Sequence, residues 1–210
     1  MQFDPDKLSV RELYGWMVRL ITPRPIAWVS TQSAAGVCNL APYSFFNGVG
    51  ANPPTIMFCP ANNRFGEPKD TLANIRHTGE FVINVVTETW GSKMNATSAE
   101  YDSDIDEFNA VGVPKIASTR VTPPRVENCK AAFECELHQA IALGHGPGAA
   151  NLVIGRIVSM HVADNLIGDG GEFLADDFDT IGRLGGDAYT RTIDRFELPR
   201  PRRPKTGDGD

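Results

Sequence analysis

The chain has 210 residues, 41% hydrophobic and 22% charged, with a net charge of −6; that is ordinary for one globular domain. Twenty basic residues against 26 acidic ones leave no basic excess for a nucleic-acid partner, and no apolar run reaches the ~18 residues of a membrane span. The acidic N-terminus MQFDPDKLSVRELYGW is no signal peptide, so a cytoplasmic location without membrane or nucleic-acid partners is expected.

Residues 7–20 place Leu8, Leu13, Met17 and Leu20 at helical spacing. Residues 22–31 read as extended, with Ile26, Trp28 and Val29 as β-formers, and Pro23 and Pro25 confine the start of that strand to an edge or an entry point. SAAG at 33–36 supplies a turn, and 38–46 returns as a second strand. That strand carries Asn39, Ala41, Pro42 and Ser44, small or polar residues that leave main chain bare for another object to approach. Pro42 also gives up a donor, as in a strand that is not fully laddered. TIMFC at 55–59 suits a buried strand.

In EPKDTLANIRHTGEFVINVV, Leu72, Ala73 and Ile75 set a helix capped by Asp70 or Thr71 and stopped by Gly79, followed by a strand over 81–86. Residues 87–99 read as helix and 103–108 as a short helical turn. The longest strand signals are 131–143 and 152–162. In the second, Leu152, Ile154, Val158, Met160 and Val162 share one parity, broken by Arg156, and LGHGPGAAN makes the pair a hairpin with a long tip. The stretch 199–210 is rich in proline, glycine and charge and is expected to be disordered, leaving 1–198 as a single domain. Strands outnumber helices and few βα alternations occur, so the fold class is mainly β, a barrel with peripheral helices.

Several motifs resolve to ordinary structure. GHGPGA at 144–149 has dinucleotide-loop glycines, but a strand pattern rather than a helix follows it. YDSDIDEF lacks the calcium-loop glycine (Glu107 stands there) and the terminal carboxylate (Val113), and reads as a solvated acidic turn. His77, His138, His145 and His161 show no ligand spacing, so no metal is expected. Cys38, Cys59, Cys129 and Cys135 form no CxxC pair and read as reduced thiols. KDTLANI carries more chemistry, although taken alone it favours plain capping by Asp70 with a surface lysine beside it. Lys69 and Thr71 sit where a helix start offers unpaired N–H groups and its positive dipole end to an anion. A flat ring lying on residues 39–44 and linked to a phosphate would use both features.

Five stretches together resemble the flavin reductase-like, FMN-binding split β-barrel family: RPIAWVST (24–31), GxxNLAPYSFF (36–46), NPPTIMF (52–58), KDTLANI with GEFVINV, and RLGGDAY (183–189). They occur in the family's order over residues 20–195, closest to flavoredoxin-like proteins and the reductase components of two-component monooxygenases. The resemblance implies a Greek-key split barrel and a homodimer with FMN near the interface. It implies that Asn39, Ala41, Pro42, Tyr43 and Ser44 line the flavin, with Ser30 and Thr31 nearby. Phe58, Cys59 and Pro60 would face the ring or its side chain. Lys69 and Thr71 would bind the phosphate, and Arg183, Gly185, Gly186 and Tyr189 would close the pocket. His145 is a possible nicotinamide-placing residue, although GHGPG departs from the relatives' motif. The implied activity is an NAD(P)H:FMN oxidoreductase: hydride passes to flavin N5, and electrons go on to oxygen or a partner oxygenase. The alternative is a flavoredoxin-like electron carrier with tightly bound FMN.

Overall fold

The computed structural model describes residues 1–201, so all but the first residues of the expected disordered tail lie outside the described residues. Ser9 opens α1 (Val10–Leu20) through a reciprocal capping box. Its hydroxyl accepts from the Glu12 N–H, and the Glu12 carboxylate accepts from the Ser9 N–H. Then come β1 (Ala27–Gln32), β2 (Cys38–Tyr43), β3 (Phe46–Ala51) and β4 (Pro54–Phe58). They are followed by α2 (Asp70–Thr78), β5 (Glu80–Val85), α3 (Gly91–Ala96) and α4 (Glu107–Val111). Short β6 (Lys115–Ile116) pairs with β7 (Arg125–Val126), long β8 (Ala131–Ala142) with β9 (Asn151–Val162), and β10 (Ile181–Arg183) with β11 (Tyr189–Arg191).

Seven strands form one antiparallel sheet in the order β2-β1-β5-β8-β9-β4-β3. Its two edge strands are consecutive in the chain, with only Ser44 and Phe45 between them. Three Cα steps reach about 11 Å at most, so the sheet must curl until its edges nearly meet. The outcome is a β-barrel with an open seam between β2 and β3.

Ala27, Val29, Ile56, Phe58, Phe81, Ile83 and Val153 form the barrel core, joined by Leu72 and Ile75 of α2. Each of those two helix residues contributes about 1.5–3 kcal/mol by its burial, which seats α2 on the sheet. On the opposite face Trp28, Leu40 and Val86 pack against Met94 of α3 and Phe108 of α4. α2 is thus fixed by one core and α3 with α4 by another.

Three sequence expectations change. Residues 38–46 are not one strand, because the chain turns at Ser44–Phe45 and starts β3, whose NGVGA has no apolar alternation to announce it. The inward parity of β9 is Asn151, Val153 and Gly155 rather than Leu152 and Ile154. Gly155 faces the ring of Phe81, and a Cβ there would come within 2.3 Å of it, so a glycine marks the core side. The helix expected over 87–99 is shorter, α3 being preceded by a 3-10 turn at Glu88–Trp90.

Candidate functional site

β2 is an edge strand whose outer side is not bare. Leu40 stands opposite Ser30 of β1, and its N–H points away from β1 to donate to Glu107 Oε2 at 3.0 Å. Outward N–H positions recur every second residue, so the next one is Pro42, which has no hydrogen to offer. Pairing with β1 continues from Cys38 to Tyr43. β2 is thus laddered on one side only, and the proline falls on the outer side, where no ladder bond is lost.

Beside this edge lies a cleft of about 530 Å³. Asn39, Ala41, Pro42 and Tyr43 form its floor, residues 63–71 one wall, and residues 97–103 with Glu107 the other. Each wall is tied to the sheet. Asn39 Nδ2 and the Tyr43 hydroxyl both donate to Thr71 Oγ1 on α2, each at 2.9 Å. Trp28 Nε1 of β1 donates to Thr97 Oγ1 at 2.9 Å, where the second wall begins. At the mouth the exposed side chains of Arg64 and Glu100 meet at 3.6 Å.

The start of α2 opens into this cleft. Its N-cap is Lys69, which makes no side-chain capping bond. The expected caps are corrected: Asp70 falls on the first helical residue, and Thr71 is turned inward onto Asn39 and Tyr43. The first-turn N–H groups thus lack the usual side-chain acceptor. Having accepted two hydrogen bonds, the Thr71 hydroxyl keeps its own proton to donate. Burial pushes the Tyr43 phenol well above its ordinary pKa, so it remains a donor to Thr71. Burial likewise raises the carboxyls of Asp70 and Glu107. Five carboxylates (Glu67, Asp70, Glu100, Asp102, Glu107) line the cleft against two cations, Arg64 and Lys69. An anion here would be held by local donors at α2, not by a net positive field.

Of the residues named from sequence, Asn39, Ala41, Pro42, Tyr43, Lys69 and Thr71 share this cleft. The others do not line it. Ser30 is buried and donates to the Pro124 carbonyl, and Thr31 accepts from Asn74 of α2. Ser44 accepts from Arg24 Nε at 3.2 Å. Phe58 is wholly buried between Tyr43 and Phe81, Cys59 donates its N–H to the Phe45 carbonyl, and the Pro60 carbonyl accepts from Asn151. Arg183 lies over the Tyr189 ring at 4.5 Å and donates to the Gly186 carbonyl, while Gly185 packs on Arg19. Tyr189 borders a different cavity with Glu88, Asn95 and Arg191. His145 is exposed on the β8–β9 tip, which docks on Asn62 beyond the cleft wall. Sequence reading missed the 97–103 wall and Glu107. The signal for Glu107 was its place directly before Phe108, which pulls the acidic turn onto the core.

Residues 17–196 match the flavin reductase like domain. The chain belongs to the flavin reductase-like family. It is 36% identical over 203 residues to a Halalkalibacterium halodurans protein, covering 96% of this chain and 97% of that one. It is similar to nitrilotriacetate monooxygenase component B from Bacillus cereus at 34% identity and a TM-score of 0.89, with 94% and 98% of the two chains covered. It is also similar to a 2-nitrobenzoate 2-nitroreductase of Pseudomonas fluorescens at 33% identity and a TM-score of 0.87, with 99% and 100% covered. The seamed barrel is this family's split barrel, and membership makes the chain a flavin-linked oxidoreductase. No helix among the described residues is long and apolar enough to cross a membrane.

Proposed function

We propose that the chain binds FMN in the β2–α2 cleft and uses NAD(P)H to reduce it. One observation carries the reading: the small-residue floor of β2 and the uncapped start of α2 open into the same cleft. Lys69 and the first-turn N–H groups hold the phosphate. Thr71 adds its remaining hydroxyl proton, and Tyr43 with Asn39 fixes that hydroxyl in place. Ala41 and Pro42 let the ring system approach the strand, with the two walls excluding water from its flank. Bound FMN supplies a ring position that accepts hydride. What the protein contributes is alignment of two bound molecules, which by itself accounts for a large rate gain.

The proposal takes the chain as a homodimer. α1 buries Val18 but leaves Val10, Tyr14, Trp16, Met17 and Leu20 exposed, an apolar stripe of the kind that marks an interface. In a dimer, Arg183, Gly185, Gly186 and Tyr189 would close the cleft of the other subunit. The Bacillus cereus relative is a monooxygenase component, which supports oxygen or a partner oxygenase as the electron acceptor. Steady-state oxidation of NADH and NADPH with and without added FMN tests the reading. Saturable oxidation stimulated by free FMN supports a reductase. Retained FMN without oxidation makes the chain an electron carrier, and failure to take up any flavin removes both.

A further inference from the structure

The α2 end of the cleft carries donors, namely Lys69, the first-turn N–H groups and the Thr71 hydroxyl, beside the carboxylates of Glu67 and Asp70. The β2–α4 end carries two buried acceptors. Besides the Leu40 N–H and its own N–H, the Glu107 carboxylate accepts from no group among the described residues, and Asn39 Oδ1 accepts from none, although these residues are only 6% and 7% exposed. Glu107 is more than the strand edge needs. A single neutral oxygen would satisfy the Leu40 N–H, whereas a buried carboxylate costs several kcal/mol unless donors surround it. Glu107 lines a cleft whose other carboxylates cannot donate.

A ligand that matches this layout carries an anion at one end and hydroxyl donors beside it. We propose, resting on the FMN reading above, that Glu107 is a specificity-determining residue that accepts hydrogen bonds from the polyol chain joining the flavin ring to its phosphate. Hydroxyl-to-carboxylate bonds are short and about twice as strong as neutral ones. The α2 donors take the phosphate and Glu107 takes the polyol, which fixes the direction in which the chain lies. Asn39 bridges the halves, its NH₂ on Thr71 and its carbonyl oxygen toward the polyol.

The test measures dissociation constants of FMN, riboflavin and lumiflavin, which keeps the ring but lacks the polyol, for the full chain and for Glu107→Gln. The amide keeps an acceptor for the Leu40 N–H. Glu107→Gln should weaken riboflavin about tenfold and lumiflavin less than twofold. Equal losses for both, or no loss, overturn the inference and leave the FMN reading standing. If the variant does not fold, the unaltered chain decides: riboflavin must bind about tenfold or more tightly than lumiflavin, and equal affinities overturn the inference. Binding of none of the three flavins by the unaltered chain removes the FMN reading and this inference with it.

Discussion

Asn39 Nδ2 donates to Thr71 Oγ1 at 2.9 Å, joining the edge strand β2 to the first turn of α2. Tyr43 donates to the same oxygen, so one hydroxyl fastens two floor residues to the helix start. Thr71→Val keeps the shape and removes the acceptor, leaving two buried donors unpartnered. It should cost about 2–3 kcal/mol of stability, while Thr71→Ser stays within about 1 kcal/mol of the parent. Urea midpoints check this, and a Val variant as stable as the parent would show that the joint carries no energy.

Lys69 is exposed and uncommitted to any capping bond. Lys69→Ala should weaken FMN about tenfold and riboflavin hardly at all, because the lost contact is charge-assisted and goes to phosphate. Titrations with both flavins separate this from a general disturbance: a parallel loss for riboflavin would place the phosphate elsewhere.

Glu134 of β8 is fully buried. Burial pushes its carboxyl up, but the Thr119 and Arg120 N–H groups, His161 and the Thr119 hydroxyl outweigh that and hold it below the ordinary value. A depressed folded-state pKa stabilises the protein above the ordinary carboxylate range and is lost as pH falls through the folded value. Glu134→Gln should cost about 3 kcal/mol at neutral pH and flatten the acid limb of the stability curve. Denaturant melts from neutral pH down to about pH 3, below the unfolded carboxylate range, measure both effects. An unchanged acid slope would mean that other carboxyls govern it.

The apolar stripe of α1 supplies a test of assembly. Replacing Trp16 and Leu20 together with serine should shift the chain from dimer to monomer in sedimentation at micromolar concentration. The fold should survive, since both side chains are exposed. A monomeric parent would end the dimer proposal.

The sequence made much of this visible, and its silences have physical causes. α2 was readable from Leu72, Ile75 and Gly79 because apolar period and stop signal agree. β8 and β9 were readable as a hairpin, but their inward face was not. Gly155 is the inward residue and hydropathy gives it no weight, while the partly exposed Leu152, Ile154 and Met160 carry the apolar parity. β3 was invisible for the same reason. Within the site, NLAPY and KDT were legible because small residues and a helix start are local features. Glu107 joins β2 through a contact 67 residues away, which no local window reaches.

The two-residue crossing from Tyr43 to Phe46 also sets a rule for chain-length variation. At most surface loops an inserted residue hangs in solvent for a few tenths of a kcal/mol. Here each addition would slacken the tether that keeps the barrel's first and last staves side by side. The seam between β2 and β3 would widen accordingly. Length at this joint, more than side-chain identity, governs that seam.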